Sequence, residues 1–308
     1  MTPTRISAIV PVHDRSESLA EAVESLVATG YADLEVVIVE DGAGDETAAR
    51  ARALEARFPG VVRTVRHPDG RNHGPGPSRN RGVRESSGEY ICFLDSDDVV
   101  LAGRFARSPS VLDADRSLDA VCERFLRFGG SSPEASVPAR DRGGLRASLL
   151  GPGPLWHTSS ILFRKRSFLD MGGFSESLRT SEDWVLWIKL ALAGRVADGG
   201  PEPVSVYRRH GENTEPILEN SLLAFLEVIR WSRGRDLPAE PLRLLHEGAW
   251  GKLLYVCDRF QRMGRPGRAA RLLADTAAAV PSFALRADYW RNVARCALPP
   301  RHVRRDPA

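Results

Sequence analysis

No stretch of the 308-residue sequence approaches the roughly 20 consecutive apolar residues that span a bilayer. The opening Met1-Thr2-Pro3-Thr4-Arg5 runs straight into an apolar segment and lacks the zones of a signal peptide. A cytoplasmic protein is therefore expected. Cysteine is scarce. Cys92, Cys122, Cys257 and Cys296 lie far apart with no Cys-x-x-Cys spacing, which argues against a zinc ribbon or a disulfide framework. Cys92 sits in an apolar run and reads as a small core residue. Lysine is nearly missing, with only Lys165, Lys189 and Lys252, so positive charge is almost all arginine. No Gly-x-Gly-x-x-Gly follows the first apolar segment, which argues against a dinucleotide-binding fold.

What is present fits a soluble globular chain, 42% hydrophobic and 27% charged. The length suits one large α/β domain, or one domain with an appendage. The net charge of +3 hides a division: residues 1–219 carry 27 Lys and Arg against 32 Asp and Glu, and residues 220–308 carry 16 against 8. The basic C-terminal part suits an anionic membrane surface, nucleic acid, or simply a solvated helical face.

Short apolar runs alternate with helical periodicity. Ile6–Val12, Leu34–Val39 and Val61–Val65 read as strands. Between them, Leu19, Ala22, Val23, Leu26 and Val27 mark a helix capped by Ser16 or Ser18 and ended by Gly30. A second helix follows Asp45 through Ala51, Leu54 and Phe58. After the Gly/Pro loop at 74–77, Ser78 can start a short helix whose N–H groups, with Arg79 and Arg81, suit an anion. The order predicts βαβ units and a doubly wound sheet.

Everything is organised around Gly88 to Asp98. The buried-type run Tyr90–Leu94 ends in Asp95-Ser96-Asp97-Asp98, three carboxylates in four positions. Open α/β sheets bind ligands at strand carboxyl ends. Crowded carboxylates need a cation or donors to compensate them. Mg²⁺ or Mn²⁺ shared with a diphosphate fits an Asp-x-Asp pattern; an acidic turn capping a helix near Val99 is the plainer alternative.

Taken with Ala8–Asp14, Val36–Gly42 plus Asp45 and Thr47, and Arg79-Asn80-Arg81-Gly82, this stretch resembles the nucleotide-binding half of a family 2 glycosyltransferase. The resemblance implies a GT-A fold, doubly wound with a mostly parallel, Rossmann-like sheet. It implies that Pro11, His13 and Asp41 face the base of a nucleotide-sugar, with Asp14, Arg79 and Asn80 in the same site. Asp95 would face the ribose or sugar, and Asp97 would bind the metal on the diphosphate. Two positions depart from the pattern: His13 stands where an aromatic is common, and Glu40 replaces Asp.

Further on, Trp156–Arg164 reads as a strand, and Arg166–Phe174 resembles the family's small helix and turn. Polar Ser131–Pro133 to Arg142–Gly144 reads as an exposed loop. Ser181-Glu182-Asp183-Trp184 opens an amphipathic helix with Ser181 as N-cap. By spacing alone the two acids merely complement the helix dipole. The resemblance instead implies that Asp183 is the general base, kept ionised by the helix N-terminus, and that His210 contacts metal or diphosphate. Arg208 or Arg209 could steady the leaving group, and Trp184 and Trp187 stack on sugar or fill the core.

The expected organisation is a catalytic domain over 1–215 (nucleotide half 1–100, acceptor half 101–215), a helical region over 216–298, and a disordered tail over 299–308. Three helical segments are marked by Leu222–Ile229, Leu244–Ala249 and Ala269–Leu273, with a break at Arg265-Pro266-Gly267. The expected activity is metal-dependent, inverting transfer of one sugar from a nucleotide-sugar, UDP first and GDP or dTDP open, to an acceptor hydroxyl in polysaccharide or natural-product synthesis. Partners are the donor, an unnamed acceptor and, through the basic region, a membrane surface; nucleic acid is not expected. A processive synthase is disfavoured, since no Gln-x-x-Arg-Trp occurs. A nucleotidyltransferase on a similar sheet and a non-catalytic nucleotide-sugar-binding scaffold are the rivals.

Overall fold

Four apolar runs form the parallel half of the sheet: β1 (Ile6–Val12), β2 (Leu34–Glu40), β3 (Val62–Arg66) and β4 (Tyr90–Phe93), in spatial order β3-β2-β1-β4. The computed structural model describes residues 3–128, 134–135, 156–208 and 214–297. Helices α1 (Ser16–Val27), α2 (Asp45–Arg57) and α3 (Pro75–Glu85) connect these strands. Because side chains alternate along a strand, β1 feeds two cores. Ile6, Ala8, Val10 and Val12 pack with Leu19, Val23 and Leu26 of α1 and Ala51 of α2. Ile9 turns to the other face, with Val37 and Val39 of β2 and Val83 of α3. Both faces are covered at β1, β2 and β4, so those strands are apolar at most positions, whereas β3 is half polar and only partly buried.

Beyond β4 the sheet is mixed. The next elements are β5 (Val99–Val100), α4 (Ser108–Ala114), β6 (Ala120–Phe128), β7 (Glu134–Ala135), β8 (Ile161–Arg164), α5 (Lys165–Asp170), α6 (Glu182–Ala193) and β9 (Val196–Arg208). β8 runs antiparallel to β4, with Tyr90 opposite Arg164, and β6 pairs antiparallel with β8 but parallel with β9. A strand, rather than a helix, thus follows the Asp cluster at Val99.

Local end signals fared worse than the elements. Arg15 occupies the cap of α1 without a side-chain bond, and Ser16 Oγ donates instead to Glu46 Oε1 at 2.6 Å. Asp45 lies inside the first turn of α2, where its charge meets the dipole, and Gly44 is the cap. α3 starts at Pro75, which fits a first turn, leaving Ser78 to bond His67 Nε2 at 2.8 Å.

A second compact unit holds α7 (Thr214–Ser232), α8 (Ala239–Arg262), α9 (Pro266–Ala279) and α10 (Ala287–Ala297). Leu222, Phe225, Leu245, Leu253, Leu272 and Leu273 are buried as their periodicity implies. Gly264 at φ 71° and Pro266 separate α8 from α9. A fourth helix, α10, joins the three marked segments. All four cysteines are free, and burial raises the Cys92 thiol to about 11. Of the 131–144 segment expected as a loop, Glu134–Ala135 form the short strand β7 and the rest lies outside the described residues, as do Arg209, His210 and the 299–308 tail.

At the amino ends of the parallel strands a polar network replaces apolar packing. Glu35 of β2 accepts from Ser7 Oγ of β1, from Ser87 N at 2.8 Å and from Arg63 Nε of β3 at 2.9 Å. Gly88 N in turn donates to Ser7 Oγ at 2.8 Å. Burial opposes ionisation of Glu35, but these donors and the Arg63 charge outweigh it and bring the carboxyl down to about 2. A carboxyl depressed on folding adds stability above its unfolded value, near 4.5, and loses it as pH falls toward 2. Glu35→Gln should therefore flatten the loss of melting temperature between about pH 5 and pH 2; differential scanning calorimetry across that range, with an unchanged slope in the variant, would contradict the assignment.

Candidate active site

A cleft of about 760 Å³ opens at the carboxyl ends of β1, β2 and β4. Its lining includes Pro11, His13, Asp14, Asp41, Arg79, Asp95 and Asp97, so seven of the expected site residues share one cavity. Besides glycines, only Asp14 (φ 45°) and Ser181 (φ 62°) adopt positive φ among the described residues. Both lie at or beside expected site positions, and backbone strain tends to be retained where surrounding structure over-determines it. Asp14 Oδ1 accepts from Gly44 N at 2.8 Å, pinning the β1 loop to the start of α2.

Asp41 shapes one wall. Its two oxygens accept from His73 N at 2.6 Å and Gly74 N at 2.9 Å. The turn there is tight: Gly42 sits at φ 65°, and an added Cβ would lie 2.5 Å from Asn72 N. Asn72 bonds across to Arg179, whose Nη1 donates to Asn72 Oδ1 at 3.3 Å. Neither Asn72 nor Arg179 stood out in the sequence, since a lone Asn and a lone Arg in loops carry no pattern.

Arg79 joins the two acidic landmarks. Its side chain is only 5% exposed; Nη2 meets Asp95 Oδ1 at 2.5 Å and Nη1 meets Glu182 Oε1 at 2.8 Å. The guanidinium also lies 5.1 Å from the Phe174 ring centroid. Burial disfavours the Asp95 carboxylate, yet Arg79, helped by His157 and Arg15, holds it below the ordinary aspartate range. Glu182 is pushed up by burial and then by adjacent Asp183.

The surroundings of Asp183 pull its ionisation in two directions. Trp184 N donates to Oδ1 at 2.9 Å and Trp187 Nε1 to Oδ2 at 3.3 Å. Those donors and Arg79 favour the anion, but burial outweighs them and raises the carboxyl. Ser181 is no side-chain cap; it is left-handed and makes no capping bond. Trp184 and Trp187 are both buried, Trp187 against Phe163 and Phe174.

Asn80 points elsewhere. Its amide exchanges two 3.0 Å bonds with the Phe174 backbone and donates to Glu176, so it clasps the loop that backs Arg79. Arg81 pairs with Glu85 at 3.3 Å, and Arg208 pairs with Glu21 at 2.6 Å. Neither guanidinium lines the cleft. Asp98 also faces inward, accepting from Arg208 N at 2.9 Å and Ser159 Oγ at 3.2 Å; burial, then Asp95, pushes it up to about 8.

For a metal, Asp97 is the acid left facing the cleft, with Arg15 Nη1 3.1 Å from Oδ2. No three His, Cys, Asp or Glu converge as a ligand set among the described residues. One carboxylate suits Mg²⁺ or Mn²⁺ held jointly with phosphate oxygens, and does not suit an all-protein cage.

Fold and cleft together define an α/β protein with an open cleft where β1, β2 and β4 end. A family model described as Glycosyl transferase family 2 matches residues 7–171, more than half the sequence, and the chain belongs to that family. Succinoglycan biosynthesis protein ExoO of Rhizobium meliloti is 29% identical over 228 residues, covering 67% of this chain and 60% of that protein. An uncharacterised glycosyltransferase of Rickettsia felis is 24% identical, covering 68% of this chain and 34% of that protein. The chain thus spans about a third to three-fifths of these relatives' lengths. Staphylococcus aureus TarS 1–349 in complex with UDP-GlcNAc superposes with TM-score 0.70 at 20% identity, over 90% of this chain and 82% of that one. Mannosyltransferase PcManGT of Pyrobaculum calidifontis, in complex with GDP-Man and Mn²⁺, gives 0.58 at 20%, over 96% and 84%. The fold is the GT-A fold.

Removing one member of a buried ion pair leaves its partner charged and unpaired, which costs about 3 kcal/mol or more. Arg79→Met should lose stability on that scale in urea unfolding, and adding Glu182→Gln should restore part of it. Strictly additive losses would show that the bridge carries no coupling.

Proposed function

We propose that this chain is an inverting glycosyltransferase that moves one sugar from a nucleotide-sugar, a UDP-sugar first, to an acceptor hydroxyl. The observation that carries the reading is the Arg79 bridge, which ties Asp95 in the cleft to the acidic start of α6. The UDP-GlcNAc and GDP-Man in the two structural neighbours support such a donor. ExoO's role in succinoglycan biosynthesis supports a polysaccharide acceptor.

In the proposed reaction Asp183 takes the proton of the acceptor hydroxyl as that oxygen bonds the anomeric carbon. The bond from that carbon to the diphosphate oxygen breaks, and the nucleoside diphosphate leaves with its electrons. A base with a raised pKa is the stronger proton acceptor once ionised, which suits this role. Pro11, His13 and Asp14 hold the nucleoside, and Asp41 acts by setting the His73–Gly74 wall. Mg²⁺ or Mn²⁺, held by Asp97 with His210 as a further ligand, would neutralise charge on the diphosphate. The catalytic domain is taken as 1–215, with 216–298 as a helical region and 299–308 as a tail.

Thermal shifts with UDP, GDP, dTDP and CDP, each with Mn²⁺ or EDTA, test the donor class. One diphosphate should stabilise the wild type with metal and fail with Asp97→Ala. Asp183→Asn should keep that shift and lose transfer by at least about 100-fold. No shift with any nucleotide would favour the scaffold reading, and release of pyrophosphate from a triphosphate would favour the nucleotidyltransferase.

No described helix is long and apolar enough to cross a membrane. Peripheral association at the inner membrane face is supported by α10 and the turn before it. Leu285 is 87% exposed and Trp290 60%. Trp290 Nε1 bonds Ala284 O at 2.8 Å, which holds the indole beside Leu285. Exposed Arg291 and Arg295 lie on the same helix, and an exposed Trp flanked by arginines suits an anionic lipid interface. Co-sedimentation with phosphatidylglycerol vesicles, absent with phosphatidylcholine, should fall about tenfold in Trp290→Ala/Leu285→Ser; equal binding by both proteins would reject this surface.

A further inference from the structure

Three arginines line the cleft, and their partners differ. Arg79 is spent on Asp95 and Glu182. Arg15 is paired with Asp97. Arg179 bonds only the neutral amide of Asn72 among the described residues, at 3.3 Å. The remaining charged groups on the cleft wall are acids, Asp14 and Asp41 beside Asp95 and Asp97. An anion entering here meets a surplus of carboxylates, and Arg179 is the cation with no carboxylate to satisfy.

We infer that Arg179 receives the diphosphate of the donor, an assignment that rests on the nucleotide-sugar reading above. Its position supports this. Asn72 belongs to the wall anchored by Asp41, and Arg179 lies three residues before Glu182 in the chain, so its bond to Asn72 joins that wall to the segment leading into α6. Arg208, which the sequence offered for the leaving group, is held by Glu21 and lies outside the cleft lining. The amide of Asn72 is a weak competitor for a guanidinium, whereas a phosphate accepts two charge-assisted bonds from it. Release from Asn72 on donor entry costs one ordinary hydrogen bond and gains stronger ones.

Isothermal titration of UDP and of uridine with Mn²⁺ separates the phosphate part of binding from the nucleoside part. Arg179→Gln should weaken UDP about tenfold and leave uridine unchanged, and Arg179→Lys should recover part of the loss. The wild type should also lose UDP affinity with added salt more steeply than Arg179→Gln does. Arg179 is exposed, so the unliganded melting temperature should hold. Equal weakening of UDP and uridine would make Arg179 a wall residue and overturn the inference, as would unchanged UDP binding. If the wild type bound no nucleotide, the donor reading and this assignment would fall together; if only the variant comparison failed, the donor reading would stand.

Discussion

A buried guanidinium with two carboxylates is the constraint on which the site depends. Arg79 is separated by 16 residues from Asp95 and by 103 from Glu182, yet one side chain hydrogen-bonds both. Charges removed from water must be paired with good geometry, and the planar fork of arginine can meet two acids at once where a lysine ammonium presents a single point of charge. The surroundings are built to keep that fork still. Phe174 packs against it, and Asn80 fixes the Phe174 backbone by two hydrogen bonds. Moving Asn80 or Phe174 would therefore reach Asp95 through Arg79.

The same bridge gives the two adjacent acids different surroundings. Glu182 has its charge matched by Arg79, and its chain is enclosed: a Cβ on Gly76 would lie 3.2 Å from Glu182 Cγ. Asp183 is instead held by the Trp184 N–H and the Trp187 indole, and Arg79 favours its anion from a distance. Neighbouring acids thus acquire different environments, one locked in an ion pair with Arg79 and one held by the Trp184 and Trp187 N–H groups.

The parallel half of the fold was legible because strands covered on both faces must be apolar at nearly every position, and Val36–Val39 and Tyr90–Leu94 say so outright. The acids that end β2 and β4 were legible for the same reason, since an apolar run makes its own terminus conspicuous. Partners chosen in three dimensions left no such trace. Ser16 looked like a cap and found Glu46; Arg208 looked like a phosphate ligand and found Glu21; Asn80 sat inside a recognisable motif and serves Phe174. The segment after β4 was obscure because its order comes from β6 pairing with β9, some 80 residues away, with register shifts around Arg124.

The poverty of metal ligands in the cleft has a consequence of its own for the proposed mechanism. With Asp95 given to Arg79 and Asp98 turned inward, Asp97 is the member of the Asp95–Asp98 cluster that presents its carboxylate to the cleft, and Arg15 pairs with it there. A site with one carboxylate and one imidazole holds Mg²⁺ or Mn²⁺ weakly until a diphosphate brings further oxygens. Linkage makes the dependence mutual: whatever the diphosphate adds to metal affinity, the metal adds to diphosphate affinity. An acid-rich cleft that repels a bare diphosphate and barely holds a bare metal would accept the two together. On the proposed reading, the carboxylate surplus then acts as a filter for the metal–nucleotide complex.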